Sequence, residues 1–247
     1  MAVLDNYNPI PIDRDETRSE VDGCIFKGHL KDELDSDQGA SLSINPFTAF
    51  GLIELAMQKD CRTIIQNAGG GQIAEFVRIL AKMNGLEVIN IVRKEDHVNS
   101  LNAKGASYVL NSTKEDFKEN LKTFSHKLNA LIAFDAVGGE QTGMLMSALP
   151  DHSDVILYGG LAGGLISAIE PFDIIFRNKR LYGFNLTEWK QTKSKKEFAT
   201  ISNNIQDLVI AGKLRSKIQA SFKLDDVVNG IRTYIKSMSD GKILFKP

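Results

Sequence analysis

Residues 45–212 carry two hydrophobic periods in turn. Short apolar runs occupy residues 63–68, 87–92, 107–110, 128–135, 154–159 and 181–186. Between them the apolar residues recur at i, i+3, i+4 and i+7, the spacing of one helix face. Ile73, Phe76, Val77, Leu80 and Ala81 show it most clearly. The pattern predicts helices over 45–59, 72–83, 95–104, 114–125, 139–148, 172–176 and 194–212. Asn45-Pro46 opens the first as N-cap and first-turn proline. Gly85, Gly105, Pro150 and Gly212 stop others. Strands that are apolar almost throughout are buried on both faces, and their alternation with helices builds βαβ units. The expected fold class is α/β: a doubly wound parallel sheet, Rossmann-like, of about six strands.

Outside that block the rhythm changes. After Gly212 a short strand is predicted near Ser221-Phe222, then a helix over 225–238, a turn at Asp240-Gly241 and a strand over 242–245. Residues 1–38 predict little. Asn8-Pro9-Ile10-Pro11 is extended or turn-like because proline fixes φ and restricts its predecessor. Cys24-Ile25-Phe26 is a candidate strand.

Composition narrows the classes. The 247 residues are 43% hydrophobic and 25% charged, with net charge −1. That fits a globular chain with a substantial core. It gives no electrostatic case for nucleic acid or a membrane surface. No apolar run nears the roughly 20 residues of a membrane span. Cys24 and Cys61 are too few for a disulfide framework and too far apart for C-x-x-C. His29, His97, His126 and His152 are isolated, so no metal site is expected. The first residues lack the basic and apolar regions of a secretory signal, which makes the cytoplasm the expected compartment.

The chemistry gathers where strands are predicted to end. Gly69-x-Gly71-x-x-Ala74 follows one apolar run and opens a helix, the context a dinucleotide fingerprint requires. Gly69 is expected to take the tight turn. Gly71 would let backbone approach a pyrophosphate, and Ala74 would let helix and strand pack closely. The helix N-terminus would then face the anion. Taken alone, the motif fits a glycine-rich loop that binds nothing equally well. Where NAD-binding folds place an acidic residue at the end of the second strand, this chain has Val92, then Arg93 and Lys94. A guanidinium there suits a 2′-phosphate, which favours NADP over NAD. Tyr158-Gly159-Gly160-Leu161 ends the fifth strand and leaves room for a ring or ribose. Phe184-Asn185-Leu186, with Trp189 beyond, taken alone reads as core and rim aromatics. Asp135 and Glu140 have no His or Ser partner at a diagnostic spacing, and no catalytic residue is assignable. Tyr7, Tyr158, Tyr182 and Tyr234 read as structural.

An ordered set of segments adds to this. Ser41-Leu42-Ser43-Ile44-Asn45-Pro46-Phe47-Thr48-Ala49 comes first, then Ile65-Gln66-Asn67-Ala68 with its glycines, and Ile91-Val92-Arg93. Lys104-Gly105-Ala106-Ser107-Tyr108-Val109, Asp135-Ala136-Val137-Gly138-Gly139 and Tyr158-Gly159-Gly160 follow. Ile175-Phe176-Arg177, Leu181-Tyr182-Gly183-Phe184-Asn185-Leu186-Thr187-Glu188-Trp189 and Asp240-Gly241-Lys242-Ile243-Leu244 complete it. In this order the set resembles the medium-chain dehydrogenase/reductase superfamily, in its zinc-independent branch of quinone oxidoreductases and trans-2-enoyl thioester reductases.

The resemblance implies NADP(H) as cofactor. It also implies hydride transfer to a quinone or to an enoyl double bond conjugated with a carbonyl. It places Gly70, Gly71, Gln72 and Ile73 at the pyrophosphate and Arg93 at the 2′-phosphate, with Asn67, Gly69 and Lys94 as further cofactor-binding residues. Tyr158, Gly159, Gly160, Leu161, Phe184, Asn185 and Leu186 would flank the nicotinamide, with Lys242 as a further cofactor contact. Gln72-Ile73-Ala74 stands where such relatives usually have Gly-Val-Gly, so Gln72 is expected to crowd the pyrophosphate. A homodimer is implied through the 181–186 edge, with no nucleic-acid or membrane partner. Relatives carry a GroES-like catalytic β domain ahead of the Asn45-Pro46 helix, and here that domain is expected to be mostly absent. The expected division is residues 1–39 as its remnant or replacement, 40–214 as the NADP-binding domain, and 215–247 as a strand–helix–strand returning to it. The alternative expectation is a catalytically inactive NADPH-binding or interaction protein.

Overall fold

The computed structural model describes residues 30–59 and 61–247. Cys24-Ile25-Phe26, Tyr7 and Asn8 to Pro11 lie outside the described residues. The strands are β1 (Thr63–Gln66), β2 (Glu87–Val92), β3 (Tyr108–Asn111), β4 (Ile132–Asp135), β5 (Asp154–Leu157), β6 (Arg180–Gly183), β7 (Ile218–Lys223) and β8 (Lys242–Lys246). The helices are α1 (Ser36–Ser41), α2 (Asn45–Gln58), α3 (Gln72–Met83), α4 (Glu95–Ala103), α5 (Phe117–Lys127) and α6 (Glu140–Ala148). After them come α7 (Pro171–Ile175), α8 (Leu186–Gln191), α9 (Lys195–Ile210) and α10 (Val227–Lys236).

Six strands form one parallel sheet in the order β3-β2-β1-β4-β5-β6. This is the expected doubly wound α/β sheet. Alternate side chains serve opposite faces, as strand geometry requires. Ile64, Ile132, Phe134 and Ile156 pack against Phe47, Leu52, Phe76, Val77, Leu80 and Ile205 of α2, α3 and α9. Ile65, Ile89, Ala133 and Val155 pack on the other side against Phe117, Leu121, Leu145 and Met146 of α5 and α6. Burying each large side chain contributes about 1.5–3 kcal/mol. The order reverses between β1 and β4, so a crevice opens there at the carboxyl ends.

The element ends depart from the pattern for local reasons. The run 181–186 stops as a strand at Gly183. Asn185 then caps α8, its side chain accepting from Thr187 N and Glu188 N at 2.9 and 3.4 Å. Helix α5 begins at Phe117 because Asn111 Oδ1 accepts from Thr113 N and Thr113 Oγ1, holding a turn there. Asn129 sits at φ 48°, so the chain is still turning where a strand was expected. Helix α1 was not predicted; Asp35 caps it by accepting from Gln38 N at 2.9 Å.

β7 and β8 form a separate parallel pair joined by α10. Gly230 lets α10 press on it, since a Cβ there would lie 2.7 Å from the Phe245 ring and 3.1 Å from that of Phe222. Buried Gln38 ties this pair to α1, donating to Ser216 O at 3.0 Å and accepting from Ser216 N at 2.7 Å. The outer side of α10, with Val227, Val228, Ile231 and Ile235, is exposed. Among the described residues no helix is long and apolar enough to cross a membrane.

Candidate functional site

Because all six strands run parallel, the residues that follow them share one edge. The turn after β1 is built from its neighbours rather than from glycine freedom alone. The left-handed residue is Ala68 (φ 48°), not Gly69 as expected. Gly69 is small because it presses on β2: its N donates to Ile91 O at 2.9 Å, and a Cβ would lie 3.1 Å from that oxygen and 3.2 Å from Val92 Cγ1. Gly71 N closes the turn on Ala68 O at 2.8 Å. Gly71 is then the N-cap of α3 in extended conformation, with no side-chain cap. The first N–H groups of α3 therefore point outward without a side-chain acceptor, as an anion requires.

Three residues that sequence reasoning missed hold the turn from beneath. Arg78 Nη1 donates to Gly69 O at 2.6 Å and to Asn90 Oδ1 at 3.3 Å. Gln66 Nε2 donates to Ala74 O at 3.0 Å and to Asn90 Oδ1 at 2.8 Å. Burial pulls the Arg78 pKa below its ordinary value, while the charge of Glu75 acts in the opposite sense. Gln66 and Asn90 are register partners on β1 and β2. Two amides inside otherwise apolar strands were the available signal.

The turns after β4 and β5 are stitched together. Asp135 is buried and fully engaged: Oδ1 accepts from Asn67 Nδ2 (2.5 Å), Val137 N (2.8 Å) and Gly138 N (2.9 Å), and Oδ2 from Thr142 Oγ1 (2.6 Å). Asn67 Oδ1 in turn accepts from Ala136 N at 2.7 Å. Asn67 thus ties the β1 turn to the β4 turn beneath the surface of the crevice. Leu161 N and Ala162 N donate to Ala136 O and Val137 O at 3.1 and 2.9 Å. Gly159 makes this approach possible, because a Cβ would meet Ala136 O at 2.7 Å; Gly160 has open space instead. Tyr158 is half-buried, and its phenol is pushed up by burial and then by the Asp135 charge. It therefore stays a neutral hydrogen-bond donor. Leu161 is exposed.

The remaining predicted residues divide. Ile73 packs on the core. The Gln72 side chain is drawn to α2, where Oε1 accepts from Asn45 Nδ2 at 3.1 Å. Its Nε2 is buried with no partner among the described residues. Arg93 and Lys94 stand exposed at the end of β2, their side chains without an ion-pair or hydrogen-bond partner among the described residues. Phe184 fills the space over Gly51 and tilts against Trp189 at 6.3 Å. Asn185 spends its oxygen on the α8 cap, and Leu186 packs on the core. Lys242 lies apart on the β7–β8 pair, its ammonium over the Tyr234 ring at 5.8 Å. No side-chain contact joins it to the glycine turn among the described residues.

A six-stranded sheet with a glycine turn, an uncapped helix start and two unpaired cations beyond β2 is the architecture of a dinucleotide-binding domain. The chain belongs to the zinc-binding dehydrogenase family, matched over residues 73–203, and within the medium-chain dehydrogenase/reductase superfamily it sides with the zinc-independent quinone and enoyl reductases. It is similar to the mitochondrial enoyl-[acyl-carrier-protein] reductase of Rattus norvegicus, at 26% identity over 209 residues, covering 83% of this chain and 56% of that one. A crystal structure described as a candidate NADPH:quinone reductase from Mesorhizobium loti matches with a TM-score of 0.80 and 26% identity, over 88% of this chain and 62% of that one. The complex of Etr1p, a 2-enoyl thioester reductase of Candida tropicalis, with NADP and crotonyl-CoA shares the fold at a TM-score of 0.71 and 23% identity, over 87% of this chain and 62% of that one. The chain spans little more than half the length of the curated relatives it matches. Zinc, which the family's description names, finds no group of three or more His, Cys, Asp or Glu placed to hold it among the described residues.

Proposed function

We propose that this chain binds NADPH across the carboxyl edge of its sheet, as the nucleotide-binding part of a reductase acting on enoyl or quinone substrates. The observation that carries the reading is the glycine turn. Gly69 seats the turn against β2, the α3 start has no side-chain cap, and Arg93 and Lys94 stand without partners at the end of that strand. In this reading the pyrophosphate lies on the turn at Gly70 and Gly71 and takes the backbone N–H groups of Gly70, Gln72 and Ile73, the Gly71 N–H being spent on Ala68 O, and the unpartnered Gln72 Nε2 is a further donor. Arg93 and Lys94 take the 2′-phosphate. Tyr158, Gly159, Gly160 and Leu161 form a ledge for the nicotinamide end, with Phe184 beside it. When bound, NADPH supplies the hydride. The chain's own residues orient it: the Asn67–Asp135 pair fixes the crevice floor, and the Tyr158 phenol donates to a polar group above it.

The names of the relatives support enoyl thioesters and quinones as the substrate classes to test. The relatives named mitochondrial also favour that compartment over the cytoplasm. A homodimer through β6 fits this reading, since β6 is a sheet edge and Phe172, Ile175 and Phe176 of the adjoining segment are exposed. Steady-state oxidation of NADPH with crotonyl-CoA, and separately with a quinone, tests the activity. Turnover with either supports the reductase. Binding of NADPH without turnover of either contradicts it and leaves the nucleotide-binding alternative.

A further inference from the structure

The fingerprint G-x-G-x-x-A does not ask for glycine at its second position, yet position 70 is glycine. The structure supplies the reason. A Cβ on Gly70 would fall 2.4 Å from His97 Nδ1, 2.7 Å from Cε1 and 3.0 Å from Cγ. The imidazole of His97, in the first turn of α4, lies on the backbone of the turn itself. It is half-buried, and neither ring nitrogen has a hydrogen-bond partner among the described residues. On the same stretch Arg93 and Lys94 precede it, and Glu95 and Asp96 stand beside it. From α3, Glu75 is paired with Lys104, and Arg78 is spent on Gly69 O. His97 thus lies against Gly70, two residues before the uncapped start of α3, and follows the unpaired Arg93 and Lys94 along the chain.

A polar ring packed on glycine backbone with both nitrogens unused invites an acceptor from outside the chain. An aliphatic side chain would cover Gly70 as well and require no partner. We infer that His97 is a specificity-determining residue of the nucleotide site. It donates from its ring to the 2′-phosphate alongside Arg93 and Lys94, and Gly70 is kept bare to let it do so. The inference rests on the NADPH reading above.

The test is calorimetry on the full chain with four ligands: NADPH, NADH, 2′,5′-ADP and 5′-ADP. His97→Ala should weaken NADPH and 2′,5′-ADP about tenfold, the loss of one hydrogen bond to a charged group. It should leave NADH and 5′-ADP within twofold. His97→Gln, which keeps a donor and the side-chain bulk, should recover part of the loss. Gly70→Ala should weaken NADPH in the unaltered chain but add little once His97 is alanine. Equal weakening of all four ligands would overturn the assignment in favour of a diphosphate contact. Unchanged NADPH affinity in His97→Ala would overturn it and leave the cofactor reading standing. Failure of the unaltered chain to bind any of the four would overturn both.

Discussion

The two edges of the six-stranded sheet treat charge in opposite ways. At the amino edge the buried charges are paired. Asp154, the first residue of β5, accepts both Arg180 Nε and Nη2 at 2.7 Å and has Lys59 Nζ at 3.2 Å. Asp173 and Lys179 form a buried pair at 2.9 Å, and the ammonium also donates to Met146 O at 2.8 Å. At the carboxyl edge Arg93, Lys94 and His97 have no side-chain partners among the described residues, and the α3 start has no side-chain cap. The one carboxylate buried there, Asp135, is consumed by its own turn. Paired buried charges hold a scaffold, whereas the exposed Arg93 and Lys94 keep their charge available near a bare helix start.

That contrast can be broken from either side. The largest effect on stability is expected at the amino edge. Asp173→Ala leaves the Lys179 ammonium buried without its counter-charge, which should cost about 3–5 kcal/mol in urea denaturation. The affinity of the remaining folded protein for NADPH should not change. Arg93→Ala should do the reverse. It should weaken NADPH by about tenfold to a hundredfold through loss of a charge-assisted contact. NADH and the urea midpoint should barely respond.

The glycines sharpen the same division. Gly159→Ala should cost about 1–3 kcal/mol by driving a methyl into Ala136 O. Gly160→Ala has room and should stay within about 0.5 kcal/mol. The smallest effect concerns Cys61, whose thiol is pushed up from 9.0 to about 11 by burial, with Lys59 acting against it. A raised thiol pKa stabilises the fold fully below about 9, and that contribution is lost as pH rises towards 11. Urea midpoints should fall across that window, and Cys61→Ala should flatten the fall.

The sheet was legible because its signals are local. Apolar runs, helix spacing and stop residues give six strands and the helices between them, and the glycines mark the turn. What was misread depends on contacts between distant residues. Gly69 was taken as the turn's flexible point, but its smallness answers to Ile91 O and Val92. Asn185 was read as the end of a strand although Asn-Leu-Thr-Glu is a helix-cap signal. Arg78 and His97 left no mark in the pattern, because a side chain's contact with the glycine backbone at Gly69 or Gly70 has no periodicity along the chain.

In the proposed reading Arg93 and Lys94 select a nucleotide that carries a 2′-phosphate. Calorimetric titration of the unaltered chain with NADPH and then NADH tests it most directly. Saturable one-site binding is expected, with NADPH at least tenfold tighter, the margin of one charge-assisted hydrogen bond. Equal affinity for the two, or no heat of binding with either at millimolar concentration, would contradict it.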